Sequence, residues 1–411
     1  MSKNKKDIHS KSLTQIAWKR LKKNKLSLLG LFIIFSAIVV ALLGPTIRPD
    51  GTPKSNNQIL EITTKPPGFS IQILKVKRNQ KAINTSFWDH FNVGVENDFI
   101  TVPIYDYSFD GVNLIIEKYT GSSVNNGQIV RYNLADIIFP ITHDPIKERN
   151  GFLHFNTIDG VEQQHSIEEL ITIIKEENII TRHFILGTDK YGRDLLSRLM
   201  AGTWISLFVG FISVFISLVI GISLGALAGY FRGWADDLIM WFINVVWSIP
   251  TLLLVIAITM ALGKGTWQVF IAVGLTMWVE VARVVRGQML SLREKEFVEA
   301  GRALGFSNSR IIFKHIIPNV LGPVIVISAI NFAAAILIEA GLSFLGIGAQ
   351  PPQATWGKII AEHKGYIITG KAYLALLPGF AIILMVLAFV LVGNGIRDSL
   401  DSKAVDDMPS V

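Results

Sequence analysis

The sequence predicts an all-α polytopic membrane protein, interrupted after its first span by an α+β region outside the membrane. Three observations carry that prediction. Half of the 411 residues are hydrophobic and 17% are charged, against roughly 25% charged in ordinary soluble domains. The apolar residues gather in runs of about 20, the length of a helix that crosses a bilayer. The basic residues gather on alternate sides of those runs. A disordered chain needs the opposite balance of charge and hydrophobicity. With no cysteine in the sequence, disulfide scaffolds, thiolate zinc sites, iron–sulfur clusters and cysteine nucleophiles are excluded.

Six runs are candidate spans: 26–47, 205–230, 238–262, 267–279, 320–347 and 372–396. Five lack Asp, Glu, Lys and Arg over most or all of their length, and the fifth in order carries Glu339. The fourth reaches spanning length only by continuing past Glu280 toward Val285. The first could be a secretory signal, but its long basic flank and the lack of an A-x-A site favour an uncleaved anchor.

Lysine and arginine placement gives the orientation. Residues 1–25 hold nine basic residues, including Lys3, Lys5, Lys6 and Lys11, against Asp7 alone. This basic tail is expected in the cytoplasm, and six spans return the C-terminus to the same side. Residues 281–319 also fall inside, with seven basic residues (Arg283, Arg286, Arg293, Lys295, Arg302, Arg310, Lys314) against three acidic. The stretch 48–182 falls outside, with 13 basic and 17 acidic. The net charge of +7 is therefore a topology signal, with membrane lipid as the expected neighbour and no nucleic-acid partner. The expected organisation is a tail at 1–25, a first span at 26–47, an extracytoplasmic insertion at 48–182, and a five-helix core at 183–411 holding a cytoplasmic loop at 286–319.

Within 48–182, strand-like pieces at 70–76, 112–119 and 127–132 are separated by Gly, Asn and Pro turns. Residues 166–177 read as a helix with Ser166 as N-cap and Glu169 three residues on. In the core, Pro250 interrupts the third span after Asn244 and Ser248, and Pro378-Gly379 lies in the last. Gly221, Gly225 and Gly229 repeat at four-residue spacing, which lets helices approach closely or lines a path that opens.

Catalytic chemistry is not visible. There is no H-E-x-x-H, G-x-S-x-G or acidic calcium loop, and Leu262-Gly263-Lys264-Gly265-Thr266 lacks the upstream glycine of a phosphate loop. No catalytic residue, metal or cofactor is expected on this chain. The candidates for polar groups in a path are Asn244, Ser248, Glu280, Asn331 and Glu339, since polar groups at membrane depth face the bundle interior or water. Glu280 is expected to pair with Arg283 or Arg286. Glu339 is a satisfied structural acid or a coupling group.

The stretch 291–319 reads as two short helices and a turn. Phe297, Ala300, Gly301 and Leu304 recur on one face, beside Glu299. Gly305 supplies a left-handed stop. Ser307 or Asn308 caps a second helix carrying Ile311, Ile312 and Ile316, which is expected to end at Pro318. Such a knob suits a groove on a partner or an interfacial position on lipid.

Here the sequence resembles the permease subunits of binding-protein-dependent ATP-binding-cassette importers. Their loop motif, E-A-x-x-x-x-G followed by I-x-P, reads Glu299-Ala300-Gly301-Arg302-Ala303-Leu304-Gly305 and Ile316-Ile317-Pro318, with Gly301 where Ala is usual. The flanks resemble the C-type permease of oligopeptide, dipeptide and nickel importers: Leu186-Gly187-Thr188-Asp189-Lys190-Tyr191-Gly192-Arg193-Asp194, Leu342-Ser343-Phe344-Leu345-Gly346-Ile347-Gly348 with Gln350-Pro351-Pro352, and Gly393-Asn394-Gly395-Ile396-Arg397-Asp398. Coverage is about 12–47 and 183–403. The Pro usual before L-G-T-D is absent, Asn394 replaces Asp, and 48–182 is longer than typical.

The resemblance implies a type I importer permease in the inner membrane, paired with a homologous permease. Two ATPase subunits carrying ATP and Mg, and a substrate-binding protein, are the further partners. It implies that the loop docks in an ATPase cleft and that the cargo is a peptide, with nickel or a peptide antibiotic as alternatives. Asp189, Gly192, Arg193, Asp194 and Arg198, with Leu195, Leu196, Leu199 and Met200, read as a short outer amphipathic helix. It is a candidate docking face for the binding protein, or a brace for the second span. An ion-coupled secondary transporter and a membrane-anchored outer enzyme are the other classes.

Overall fold

The computed structural model describes residues 18–81, 94–121, 123–142 and 144–400; most of the basic tail, with Lys3, Lys5, Lys6 and Lys11, lies outside them. The chain forms two compact units. One is helical and comprises the chain up to Val39, Thr203–Glu362 and the chain from Leu376 onward. The other comprises Val40–Gly202 and His363–Ala375.

Helix α1, Lys25–Ile47, starts where Asn24 Oδ1 accepts from the backbone N–H of Leu26 and Ser27 at 3.1 and 3.2 Å. The sheet unit follows. Its strands are β1 (Phe69–Lys77), β2 (Phe99–Asp110), β3 (Asn113–Lys118), β4 (Ile129–Asn133), β5 (Lys147–Arg149), β6 (Phe152–Asn156), β7 (Glu162–Ser166) and β8 (Ile179–Phe184). Helix α2 (Leu134–Ile138) lies between β4 and β5, and α3 (Ile167–Ile173) between β7 and β8. Strands pair in the order β4-β3-β2-β1-β8, with β5-β6-β7 as a second sheet. Both faces of β1 are covered. Leu74 and Val76 pack with Ile104, Ile116 and Leu170, while Ile71 and Ile73 pack with Ile59, Ile62 and Phe184.

The three predicted strands are β1, β3 and β4. The first three-residue turn of α3 also matches, since Ser166 Oγ accepts from Glu169 N at 3.1 Å. That helix ends at Ile173, earlier than expected, and passes through a wide-turn stretch to Asn178. Strand β2 escaped prediction because Pro103 lies within it and a bulge between Ile104 and Asp106 breaks its alternation.

The remaining helices are α4 (Leu195–Phe231), α5 (Gly233–Ser248), α6 (Thr251–Leu262), α7 (Thr266–Leu292), α8 (Glu296–Ala303), α9 (Asn308–Arg310), α10 (Ile317–Phe344), α11 (Trp356–His363) and α12 (Tyr373–Leu400). Among the described residues, five helices are long and apolar enough to cross a membrane: α1, α4, α7, α10 with its lead-in from Asn308, and α12. The segment 238–262 breaks where its interruption is expected, at Pro250. It is α5 and α6, bent by 92° at the break, because Pro250 has no N–H to continue the ladder and Ile249 is extended. The fourth span runs on to Leu292, so Arg283 and Arg286 lie on a helix rather than in a loop.

The glycine stripe of α4 packs backbone to backbone on α7. A Cβ at Gly221 would lie 2.6 Å from Val281 Cβ, at Gly225 2.5 Å from Ala282 O, and at Gly229 2.5 Å from Met289 Cβ. Real side chains do not approach so closely, so only glycine lets these helices meet. Helices α1 (Lys25–Ile47) and α12 (Tyr373–Leu400) meet in the same way. Ser27 Oγ donates to Leu391 O at 3.1 Å, and a Cβ at Gly395 would sit 2.6 Å from Ser27 Cβ.

Candidate functional site

The segment from Glu296 to Pro318 forms a small knob with two sides. Helix α8 buries Val298 and Gly301, in a cluster with Met289, Ile311, Ile312 and Ile316 for Val298. Its other side is open: Phe297 is 43% and Leu304 73% exposed, beside exposed Glu299 and Ala300. Phe313, 70% exposed, extends the apolar surface. The single apolar face expected from spacing is therefore split, with Gly301 turned inward and Phe297, Ala300 and Leu304 turned outward. Gly305 has φ +75, the left-handed stop expected of it. Ser307 Oγ accepts from Arg310 N at 3.4 Å, which starts α9. The expected end at Pro318 is corrected: α9, a wide-turn stretch Ile311–Ile316 and α10 run on as one helical rod. Pro318 stands where the rod changes from wide-turn to α-helical winding.

Residues that the sequence reading did not single out brace this knob. Tyr230, at the end of α4, donates its hydroxyl to Asn308 Oδ1 at 2.8 Å. Arg293 donates to Tyr230 O, and Arg232 pairs with Glu294. That hydrogen bond holds the Glu294 carboxyl below the usual carboxylate range. The ring of Phe306 stacks on His315, with centroids 5.6 Å apart. No spacing rule links Tyr230 to Asn308, so only the fold reveals the brace.

The residues from Asp189 to Arg198 are buried in the sheet unit. Asp189 is 1%, Asp194 2% and Arg198 2% exposed. Asp189 Oδ2 accepts from Arg193 Nε at 2.6 Å, and Arg193 Nη1 donates to Asn56 Oδ1 at 3.1 Å. Arg198 Nη1 donates to Lys54 O at 2.9 Å. Gly192 approaches the backbone of Ile59, with 2.6 Å between a notional Cβ and the Ile59 carbonyl carbon. The candidate docking face at Asp189, Gly192, Arg193, Asp194 and Arg198 is therefore corrected: Arg193 and Arg198 reach Asn56 and Lys54, Gly192 abuts Ile59, and Asp189 and Asp194 are buried with local partners. The short outer helix is likewise the opening of α4 rather than a separate element. Burial raises the Asp194 carboxyl above its ordinary value, opposed by hydrogen bonds from Ser197.

The five candidate path residues separate into three settings. Glu280 and Asn331 line one cavity of about 270 Å³, walled by Trp247 and Met277 at the elbow between α5 and α6. Asn244 Oδ1 accepts from Arg283 Nη2 at 2.8 Å, and Ser248 Oγ donates locally to Val245 O. Glu339 is 1% exposed; one carboxylate oxygen accepts from Ser343 Oγ at 2.6 Å, and Oε2 is buried without a hydrogen-bond partner. The expected pairing of Glu280 with Arg283 or Arg286 is corrected. Arg286 pairs instead with Asp236, at 2.5 and 2.7 Å, and Arg283 lies 3.0 Å above the Trp247 ring centre. Among the described residues, no cluster of three or more potential metal ligands occurs.

Residues 221–406 match the family described as binding-protein-dependent transport system inner membrane component, and 12–67 match the N-terminal transmembrane domain of oligopeptide transport permease C. The dipeptide transport system permease protein of Alkalihalophilus pseudofirmus is 43% identical over 217 residues, 53% of this chain and 71% of the relative. The glutathione transport system permease protein of Pectobacterium atrosepticum is 41% identical, over 53% of this chain and 72% of the relative. The chain belongs to the binding-protein-dependent permease family. Among solved structures, an inward-facing methionine transporter aligns with a TM-score of 0.42 at 21% identity, covering 50% of this chain and 98% of that one. In this permease the knob, the glycine stripe and the cavity all fall within the longer matched stretch, while β1 to β8 lie between the two matched stretches.

Proposed function

We propose that the chain is the membrane-spanning subunit of an ATP-driven importer for peptides, coupling closure of separate ATPase subunits to translocation. The observation that carries this reading is the split knob. Val298 and Gly301 anchor it to the spans, and Phe297, Ala300, Leu304 and Phe313 are left outside for a partner. An exposed apolar patch of this kind on a short helix fits a groove. Peptide cargo is supported by relatives named for dipeptide and glutathione transport.

In this reading the bent pair α5–α6 is the sixth crossing, and both termini are cytoplasmic. The insertion, 48–182, is extracytoplasmic, and 183–411 is the five-helix permease core. A homologous permease completes a heterodimer, and two ATPases hold ATP and Mg beneath it. A binding protein delivers peptide from outside. The chain itself breaks no bond.

The test uses the assembled transporter in vesicles. Ala300→Glu places a charge on the open side of the knob, and Gly305→Pro removes its left-handed turn. Each is expected to lower co-purification of the ATPases and peptide uptake by about tenfold, the change expected for a loss of ~1.4 kcal/mol of binding. Retention of both properties in both variants would rule out coupling through the knob.

A further inference from the structure

We infer that the cavity at the elbow of the broken helix receives the N-terminal end of a peptide in transit, with Glu280 accepting the α-ammonium and Asn331 pairing with the first peptide bond. This rests on the peptide-importer reading above.

The cavity of about 270 Å³ is smaller than the roughly 300–1,000 Å³ that encloses a whole drug-sized ligand. It suits one end of an extended chain. Asn331 is 1% exposed, and neither Oδ1 nor Nδ2 has a hydrogen-bond partner. A buried amide left in that state calls for a ligand or water to complete it. Its donor and acceptor match those of a peptide bond, N–H for O and O for N–H.

Glu280 supplies the charge. It makes no ion pair among the described residues, and its two basic neighbours on α7 are engaged elsewhere, Arg283 with Asn244 and Trp247 and Arg286 with Asp236. No basic side chain lines the cavity. Glu280 is an exposed carboxyl at the cavity lining without an ion-pair partner among the described residues, a place for a cation, so the end of the peptide that fits beside it is the ammonium. The backbone contributes as well. Helix α6 opens at Thr251, on the cavity wall, without a side-chain cap. Its free N–H groups are donors for the carbonyl oxygens of the substrate. Irregular backbone at membrane depth is tolerated where it lines such a cavity.

The experiment is equilibrium binding of labelled alanyl-alanine and of its desamino analogue, propionyl-alanine, to the assembled permease–ATPase complex in lipid discs without binding protein. The wild type is expected to prefer alanyl-alanine by about tenfold or more, and Glu280→Gln to reduce that preference to about twofold. Asn331→Leu is expected to weaken both ligands about equally, by roughly tenfold. Co-elution of the ATPases checks assembly, and Asn331→Ala replaces Asn331→Leu if the latter does not assemble, with weakened binding of both ligands again expected.

The subsite is overturned if the wild type shows no preference or binds neither ligand while its vesicles still accumulate peptide. It is also overturned if Glu280→Gln keeps the full preference, or if the Asn331 variant that assembles binds as wild type. Failure of the peptide reading is a different result: wild-type vesicles with binding protein hydrolyse ATP and accumulate no peptide.

Discussion

The two units bury apolar surface against opposite surroundings, and the contrast explains their side chains. In the sheet unit the aliphatic residues turn inward on both faces of β1, leaving Leu74, Ile73 and Leu114 fully buried. In the helical unit Phe211, Phe215, Phe380 and Ile383 are at least 60% exposed, as hydrocarbon surroundings permit. There is no hydrophobic gain in bringing one apolar helix to another within lipid, so contact must come from close packing. Glycine therefore does in α4 what leucine and isoleucine do in β1. A large side chain is the glue of one unit and the wedge of the other.

The sharpest way to break this contrast is to put the glue where the wedge acts. Gly225→Leu places its side chain against Ala282 O, 2.5 Å from the first added atom. Overpacking of this kind costs about 3 kcal/mol or more, and the expected outcome is loss of monodisperse permease on size-exclusion chromatography. Phe215→Ala, a larger chemical change at an outward site, is expected to elute as wild type. Equal behaviour of the two variants would remove the distinction.

The next effect tests whether the sheet unit depends on its polar hub as well as on its core. Arg193→Ala leaves the buried Asp189 carboxylate without its guanidinium, and breaking a buried pair from one side costs about 3–5 kcal/mol. Hydrogen exchange in the full-length permease should speed up in β1 and β8 while α7 keeps its protection. Uniform acceleration would mean that the units do not unfold separately.

The smallest effect concerns pH. The Asp194 carboxyl is raised in the folded state from its ordinary 3.8, so the folded chain holds that proton more tightly than the unfolded one. The stability it lends is complete below 3.8 and is lost as pH rises through the folded value. Asp194→Asn keeps an acceptor for Ser197 N and cannot ionise. It is expected to flatten the decline in sheet-unit protection as pH rises above 3.8. A steeper decline would show that the charged form is the one the fold favours.

The helices were legible because hydrocarbon imposes a long uncharged run that few other settings tolerate. Gly305 and Ser166 were legible for a related reason, since each satisfies a local backbone demand. The knob motif could be read from the sequence, but its two sides could not. Spacing places Gly301 with Phe297, and only packing against Ile311 decides that Gly301 faces inward. The burial of Arg193 and Arg198 was hidden by their charge, which ordinarily signals a surface; the partners, Asn56 and Lys54, lie more than a hundred residues away. Strand β2 was hidden by its proline and bulge. The Glu280 setting was misjudged because nearness along α7 suggested Arg283, whereas both arginines reach across to α5.

The unbroken rod from Asn308 to Phe344 has a mechanical consequence. At 1.5 Å per residue it is about 55 Å long, with one end in the knob and Asn331 roughly 35 Å along it. A tilt of about 5° at the knob end therefore sweeps Asn331 through about 3 Å and Phe344 through about one and a half times that, by the geometry of a stiff lever. The wide-turn stretch Ile311–Ile316 is where such a lever has its softest joint. Its compliance sets how much of a push from below arrives at the cavity, and stiffening those six residues is a way to lengthen the stroke.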